Sequence, residues 1–384
     1  MSIIVSPVPL SAPFIGTATT ASSFSINVPF TQPIYNGGIP IIKYIAISNP
    51  GSITSTLTQS GSGTITVSGL TPAQFYTFTV TAYNAFGPSP SSCVSNSIAP
   101  PPIPPGSQSY TTAGSYTWIA PLGVVSVSVF VVGGGSGGSA PFRNSSTYYN
   151  GYGGSGGGTY FENNMAVTPG TSYTVVVGSG GAGGIFNSAV NSNCYQASSG
   201  GTSYFCSICR ASASGGWAST QGAGFSTSPG ASCRSSLGGG VTPISSGNSW
   251  IGAGNGGGGA GGYGGNGGRG ANSGGCYQTS GSSGAGNGGG SGGGGGGVGL
   301  LGNTSNASGA GGGGAGGSNG VQVCGNAPGG AGGLYGGGGG GGYAFGTSTG
   351  QNGGVGAGGA VRIVWPGSVT QRIRQFPSTC VGAP

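Results

Sequence analysis

Glycine runs in the second part of the chain constrain its fold more than any other feature. The stretch GAGNGGGGAGGYGGNGGRGANSGG (252–275) has barely a side chain large enough to bury. Residues 1–107 contain nine glycines, whereas the other 88 of the 97 lie after residue 107. Glycine plus proline at roughly 25–30% without a strict period usually predicts disorder. The alternative is an ordered structure in which backbone groups pair with one another.

Two features favour the ordered structure. Disordered segments usually carry a high net charge, but only 2% of this chain is charged. Strand-like sequence also brackets the glycine runs and ends with AVRIVW at 360–365. A polyglycine II helix has three residues per turn and no internal hydrogen bonds, so adjacent helices can bond to each other. We therefore expect a polyglycine II bundle whose few large side chains project at its edges.

The N-terminal part has the pattern of a β-sandwich. Short runs of alternating apolar and polar residues are separated by turn residues. The clearest four lie at 22–30, 40–48, 63–69 and 74–84. The proline-rich stretch APPPIPPGS (99–107) then predicts a semi-rigid connector.

The predicted fold class is all-β. We expect an immunoglobulin-like sandwich over residues 1–99, a linker over 100–107, and a glycine-rich β-sandwich and polyglycine II domain over 108–384. Within the last domain, 107–121 and 123–135 are predicted to form a hairpin, and 157–184 to supply two further strands.

The first domain resembles the fibronectin type III module. The matching stretches are NGGIPIIKY (36–44) and SGLTPAQFYTFTVTAYNAFGPSPSS (68–92). The resemblance implies a tyrosine corner at Leu70 and Tyr76, where the phenol of Tyr76 would tie the crossing loop to the sandwich. It implies a spacer or docking unit and names no ligand.

The second domain resembles glycine-rich virion proteins of phages and large DNA viruses. The resemblance rests on YTTAGSYTWIAPLGVVSVSVFVVGGGSGG (110–138) and GGAVRIVWPGSVTQRIRQFPST (358–379). Trp118 and Trp365 lie in strand-like parts of these stretches and are predicted structural residues. It implies a structural protein assembled with other virion proteins, as a homo-oligomer, in the host cytoplasm. Glycine-rich tail-fibre adhesins of phages pack such tracts as polyglycine II helices, so the resemblance also implies contact with a host glycan or receptor.

Composition argues against an enzyme. General acid–base catalysis needs titratable groups in pairs or triads, but the chain has one acid, Glu162, one lysine, Lys43, and no histidine. We therefore expect no catalytic residue, cofactor or metal site. A weak CxxC pair, Cys206 and Cys209, lacks a second ligand pair at zinc spacing.

The net charge of +7 reflects scarce acids and not clustered bases, so we expect no nucleic-acid partner. The longest apolar run is nine residues, at 124–132, against about 20 for a membrane span. We expect no membrane insertion.

The predicted function is a non-enzymatic virion structural protein that forms a fibre, appendage or surface component and takes part in host attachment. Two alternatives stay open: a cell-surface adhesin or matrix protein with an extracellular location, and an ice-binding polyglycine II protein. Candidate contact residues interrupt the glycine runs, and the competing interpretation is that they only solubilise the bundle. They are Tyr263, Asn266, Arg269, Tyr335 and Tyr343.

Overall fold

The computed structural model describes most of the first domain and the framework of the second. The described residues are 9–144, 147–149, 151–187, 197–206, 211–218, 235–236, 259–260, 294–301, 318–319, 321, 328–342, 344–345, 349–367 and 375–376. They separate into two compact units, one mainly of residues 1–104 and one mainly of 105–366. Every described element of regular secondary structure is a β-strand, which confirms the all-β prediction.

The first unit is a sandwich of two antiparallel sheets. In one sheet the order is β1-β3-β2, with β6 paired to β3, and in the other it is β5-β4-β7-β8. Alternate residues of the long strands point inward, as in β6, where the buried Ile65 and Val67 alternate with exposed threonine and serine residues. The strands are β1 (Phe14–Ile15), β2 (Thr19–Ser22), β3 (Ser25–Thr31), β4 (Ile41–Asn49), β5 (Thr54–Leu57), β6 (Gly63–Ser68), β7 (Thr77–Asn84) and β8 (Gly87–Pro88).

The second unit contains two larger sheets and two short hairpins. The five-stranded sheet has the order β18-β14-β11-β21-β9, and the four-stranded sheet has the order β10-β15-β16-β17. The hairpins pair β12 with β13 and β19 with β20. The strands are β9 (Gly106–Tyr110), β10 (Gly114–Ile119), β11 (Ser126–Val132), β12 (Phe142–Asn144), β13 (Thr147–Tyr149), β14 (Thr159–Ala166), β15 (Ser172–Val177), β16 (Ser203–Phe205), β17 (Ala211–Ala213), β18 (Ser235–Ser236), β19 (Ala344–Phe345), β20 (Thr349–Gly350) and β21 (Ala360–Trp365).

The predicted hairpin between 107–121 and 123–135 is wrong. The stretch 107–121 contains two strands, β9 and β10, that belong to different sheets. β9 pairs with the last strand, β21, and β10 pairs with β15. Strand pairing is set by burial across the whole domain and not by closeness in sequence. Since β9 starts at Gly106, the last two residues of the predicted connector lie in a strand.

Strand β11 is buried on both faces, which explains its nearly continuous apolar sequence. Val129 and Val131 are fully buried on one face, and Phe130 and Val132 on the other. The second face packs in a cluster with Val298, Leu300, Val364 and Phe376. A strand of this kind is central in the domain.

Six strands of the second unit continue without a break into glycine-rich segments. β11 runs into residues 133–140, β15 into 178–184 and β17 into 214–216. In the other direction, residues 151–158 lead into β14, 197–201 into β16, and 351–359 into β21. The two sheets therefore fix where these glycine segments start and which of them are neighbours.

Candidate functional site

The glycine segments form one hydrogen-bonded lattice around residues 133–140, here called the central segment. Every third N–H of this segment points to the same neighbour. The N–H groups of Gly135 and Gly138, for example, donate to the carbonyls of Ala357 and Gly354 at 2.8 and 2.9 Å. The other N–H groups of the segment donate to two further neighbours. Written with the donor first, the bonds to one neighbour are Gly133 to Gly158, Ser136 to Ser155 and Ser139 to Tyr152, and those to the other are Gly134 to Gly201 and Gly137 to Ser198.

The carbonyl groups of the central segment follow the same period toward three other neighbours. Gly181 and Gly184 donate their N–H groups to the carbonyls of Gly135 and Gly138, at 2.8 and 2.9 Å. In the same way, the N–H groups of Gly339, Gly342 and Gly216 donate to carbonyls of the central segment. The accepting carbonyls are those of Ser136, Ser139 and Gly134, respectively. The central segment thus bonds to six surrounding segments, namely 151–158, 178–184, 197–201, 214–216, 336–342 and 353–358.

A three-residue period separates this arrangement from both common backbone structures. In a strand the N–H groups alternate between two sides, and in an α-helix they bond to the residue four positions earlier. In polyglycine II, the backbone N–H groups point in three directions, and each direction recurs every third residue. The predicted polyglycine II packing is therefore present in the described lattice.

Most glycines at these contacts have no room for a side chain. A Cβ on Gly137, for example, would overlap the carbonyl of Ala182 in the adjacent segment. Gly358 differs, because the nearest atom to its Cβ position is the carbonyl oxygen of Gly178 at 4.0 Å. Only glycine fits at a contact such as that of Gly137, whereas a glycine that faces outward, such as Gly358, is replaceable.

Serine hydroxyls replace backbone groups at one contact and hold an exposed tryptophan. The hydroxyl of Ser136 accepts the N–H of Ser155 at 2.8 Å and donates to the carbonyl of Trp217 at 3.0 Å. The hydroxyl of Ser155 donates to that carbonyl at 3.0 Å and accepts the N–H of Trp217 at 2.7 Å. The side chain of Trp217 is nevertheless 69% exposed. An exposed ring on a fixed backbone can stack on a ligand with little loss of conformational entropy. Sequence reasoning missed Trp217, whose only signal is a bulky aromatic directly after a glycine pair.

A buried arginine fastens the lattice to the five-stranded sheet. Arg362 on β21 is 3% exposed, and its Nη1 donates to the carbonyl of Leu300 at 2.8 Å. That carbonyl lies at the end of the glycine segment 294–300. A charged donor makes a stronger hydrogen bond than a neutral one, so Arg362 fixes this segment end beside Phe130 and Val364.

The four predicted structural residues lie in two places: Leu70 and Tyr76 at the tyrosine corner of the first domain, and Trp118 and Trp365 in an aromatic cluster of the second. The hydroxyl of Tyr76 accepts the N–H of Thr71 at 3.0 Å, next to the buried Leu70. Trp118 is buried, and its ring centroid lies 6.0 Å from that of Trp365. The rings of Tyr173 and Phe205 complete this aromatic cluster, with their centroids 5.9 and 5.7 Å from that of Trp118.

Of the predicted contact residues, the structure describes Tyr335. Its side chain is half-buried against the cluster around Phe130. Its backbone N–H and carbonyl pair with the carbonyl and N–H of Val298, at 3.1 and 2.9 Å. The other predicted contact residues lie outside the described residues; they are Tyr263, Asn266, Arg269 and Tyr343.

Side chains that bind metal ions are not clustered in the part of the chain that the structure describes. No group of three or more His, Cys, Asp or Glu side chains is placed there to hold a metal ion. Cys93 is exposed and Cys206 is half-buried, both as free thiols, and Cys209 lies outside the described residues. Among these residues, no helix of the length and apolarity needed to cross a bilayer is found.

Comparison with solved structures gives local matches to titin, to twitchin and to a fibronectin type III domain. The chain is 28% identical to domains A168–A170 of titin, over 24% of this chain and 32% of that chain, with a TM-score of 0.21. It is 18% identical to the kinase region of C. elegans twitchin, over 24% of this chain and 17% of that chain, with a TM-score of 0.22. It is 24% identical to the sixth fibronectin type III domain of human fibronectin type III domain containing protein 3, over 29% of this chain and 98% of that chain, with a TM-score of 0.18.

The chain thus spans a third or less of the length of the matched titin and twitchin structures. No curated protein matches it.

Family models match both domains. The fibronectin type III model matches residues 11–97, which confirms the N-terminal module predicted from Leu70, Tyr76 and the surrounding residues. The glycine-rich domain model matches residues 111–366, more than half of the chain. Both domain types are consistent with a non-enzymatic extracellular or structural protein. The protein belongs to the glycine-rich domain family and carries a fibronectin type III domain ahead of its glycine-rich domain.

Proposed function

We propose that the protein is a structural component of a virus particle, as a fibre, appendage or surface protein, and that it contributes to host attachment. The observation that carries the proposal is the lattice around residues 133–140, in which one segment bonds to six others. A lattice of this kind has little internal freedom, because each segment is fixed on several sides by backbone hydrogen bonds. Its function is mechanical and adhesive, with no chemical step.

The nearly uncharged surface supports the same proposal. With 2% charged residues, the protein has few surface ion pairs whose strength would depend on salt. Its stability rests on backbone hydrogen bonds and on buried apolar clusters, which salt screens far less. A particle protein that meets variable ionic strength outside the cell benefits from this property.

Attachment is assigned to the outer surface of the glycine-rich domain. Trp217 presents an exposed ring on a backbone held by Ser136 and Ser155. Aromatic rings of this kind stack on sugar rings and on apolar receptor surfaces. The partners in this proposal are other virion proteins, further copies of the chain and a host glycan or receptor.

Mass spectrometry of purified particles tests the structural role. The expected result is peptides of this chain at a constant ratio to the capsid protein across a density gradient. Absence of the chain from the particle fractions, together with its recovery from the host cell surface or culture matrix, would instead establish the adhesin or matrix alternative. Thermal hysteresis in a dilute solution of the purified protein would identify the ice-binding alternative.

Particle binding to host cells tests the attachment role. Particles that carry Trp217→Ala are expected to bind at least about tenfold more weakly, as for a lost aromatic anchor. Leu122→Ala is the matched control, because Leu122 is 66% exposed in the same domain and lies in the loop between β10 and β11. Equal binding of the two variants would remove Trp217 from the attachment surface.

A further inference from the structure

Two glycine segments at the outside of the lattice leave a position next to them that has hydrogen-bonding groups but no described occupant. Residues 178–184 and 353–359 run antiparallel, and Gly356 donates to the carbonyl of Gly181 at 2.9 Å. The N–H groups of Gly180 and Gly183 have no partner among the described residues, although the adjacent Gly181 and Gly184 bond to the central segment. The carbonyls of Gly353 and Gly356 likewise accept no hydrogen bond there.

The three-residue period places these free groups in one groove. Each polyglycine II segment directs its backbone groups to six positions around its axis. For residues 178–184, the positions toward the central segment, toward 197–201 and toward 353–359 are filled. The N–H groups of Gly180 and Gly183 point to the position beside 353–359, which no described segment fills. The unbonded carbonyls of that second segment point to the same place, so donors and acceptors face one groove.

One face of the second segment borders this groove. Asn352, Val355 and Gly358 are three residues apart and share that face, and the nearest atom to the Cβ position of Gly358 is the carbonyl oxygen of Gly178 at 4.0 Å. Val355 is 53% exposed. The Asn352 Oδ1 atom accepts the N–H of Phe186 at 2.8 Å, which ties the two segments together at the groove's end. The large side chain in the middle of the groove is therefore that of Val355.

We infer that Val355 closes this hydrogen-bonding position, which no described segment fills, and that the position fits a three-residue-per-turn glycine segment from a second copy of the chain. The complement of the groove is a backbone that offers carbonyls to Gly180 and Gly183 and N–H groups to Gly353 and Gly356. Segments of this chain have that chemistry, as the described lattice demonstrates. With Val355 in place, lateral addition of another copy stops at this edge.

Contacts inside the lattice explain why a single side chain is sufficient to block an added segment. Where two segments touch, a Cβ would overlap a neighbouring carbonyl, as at Gly180 against Gly356 and at Gly353 against Gly138. A segment in the groove would meet the Cβ of residue 355 in the same way. The branched side chain of Val355 therefore keeps the new segment out of hydrogen-bonding distance.

Sedimentation velocity of the full chain over a range of concentrations tests the inference. Val355→Gly is expected to self-associate at least about tenfold more strongly than the wild-type chain, because a few new hydrogen bonds shift an equilibrium by that order. Val355→Ala is expected to behave as wild type, since it keeps the Cβ. Val125→Gly, a matched loss of a 64% exposed valine, is expected to behave as wild type as well.

Two outcomes of the sedimentation experiment would overturn the inference: a Val355→Gly variant that sediments as wild type, or a Val355→Ala variant that associates as strongly as Val355→Gly. Amide hydrogen exchange of the wild-type chain gives a test that needs no variant to fold. The amides of Gly180 and Gly183 should exchange fast, whereas those of Gly181 and Gly184 should be protected. Protection of Gly180 and Gly183 in the wild-type chain would mean that the groove is already filled, against the proposed role of Val355.

Discussion

The carbonyl oxygen of Gly135 lies where a Cβ on Gly356 would be placed. Two positions further along the same segment, Gly358 has open space around its Cβ position. The two glycines differ because the first faces the central segment and the second faces the outside of the lattice.

Replacing these glycines separates the two environments. Gly356→Ala is expected to lower the free energy of unfolding of the glycine-rich domain by about 2–4 kcal/mol, since inserted atoms force the segments apart and strain their hydrogen bonds. Gly358→Ala is expected to be neutral, or stabilising by up to about 1 kcal/mol through the unfolded state. Chemical denaturation followed by tryptophan fluorescence measures both, and equal effects would contradict the described packing.

The tyrosine corner gives a prediction for the first domain. Tyr76→Phe removes the hydroxyl that accepts the N–H of Thr71, and we expect a loss of about 1–3 kcal/mol because a partly buried donor is left without its partner. Tyr35→Phe is the control, since Tyr35 is 62% exposed. Hydrogen exchange of strand β7 in the full chain reports the change. A Tyr76→Phe chain with unaltered exchange would show that the hydroxyl does not stabilise the corner.

The tryptophans of the second domain should respond according to their burial. Trp118→Ala is expected to cost about 3–5 kcal/mol, because it empties the centre of a cluster formed with Tyr173, Phe205 and Trp365. Trp217→Ala should change stability by less than about 0.5 kcal/mol. Calorimetry of the full chain compares the two variants. Similar melting temperatures would argue against Trp118 as a core residue.

The contact between Ser136 and Ser155 predicts that the hydroxyl oxygen of Ser136 alone stabilises the folded protein. Ser136 is fully buried, and its hydroxyl accepts the N–H of Ser155. Ser136→Ala keeps the Cβ but leaves that N–H unsatisfied, at an expected cost of about 1–3 kcal/mol. Ser179→Ala, at an exposed position of a neighbouring segment, should have little effect. Faster exchange of the Ser155 amide in Ser136→Ala alone would confirm the mechanism, and unchanged exchange would contradict it.

The stability of the protein should be almost independent of pH between about 5 and 7.5. The chain has no histidine and one carboxylic acid, so few protons bind or leave on unfolding in this range. Burial raises the pKa of Tyr44 and of Tyr110 above the ordinary tyrosine value. A raised pKa in the folded state means that the unfolded chain loses these protons first. Stability from both tyrosines is therefore complete below about pH 10 and falls as the pH rises above it.

Melting temperatures across the pH range check this prediction. Tyr44→Phe should remove part of the decline above pH 10, because its ring has no proton to lose. A marked loss of stability between pH 5 and 7 would contradict the prediction.

Local patterns gave most of the strands. Alternation over 63–69 corresponds to β6, and the apolar run at 124–132 corresponds to a strand, β11, buried on both faces. The pairing of β9 with β21 could not be predicted, because it joins residues about 250 positions apart and no local signal specifies the partner. The glycine run that stands out in the sequence is 252–275, whereas the described centre of the lattice is the short run that follows β11.

The sequence by itself determined that this chain is built from strands and from glycine segments with little charge, because both follow from the types and spacing of residues. It also determined the fibronectin type III module, through Leu70, Tyr76 and their neighbours. Only the tertiary structure decided which glycines are enclosed and which face outward. A glycine such as Gly356 and one such as Gly358 look alike in sequence, and they differ only through the segments that the two sheets bring alongside them.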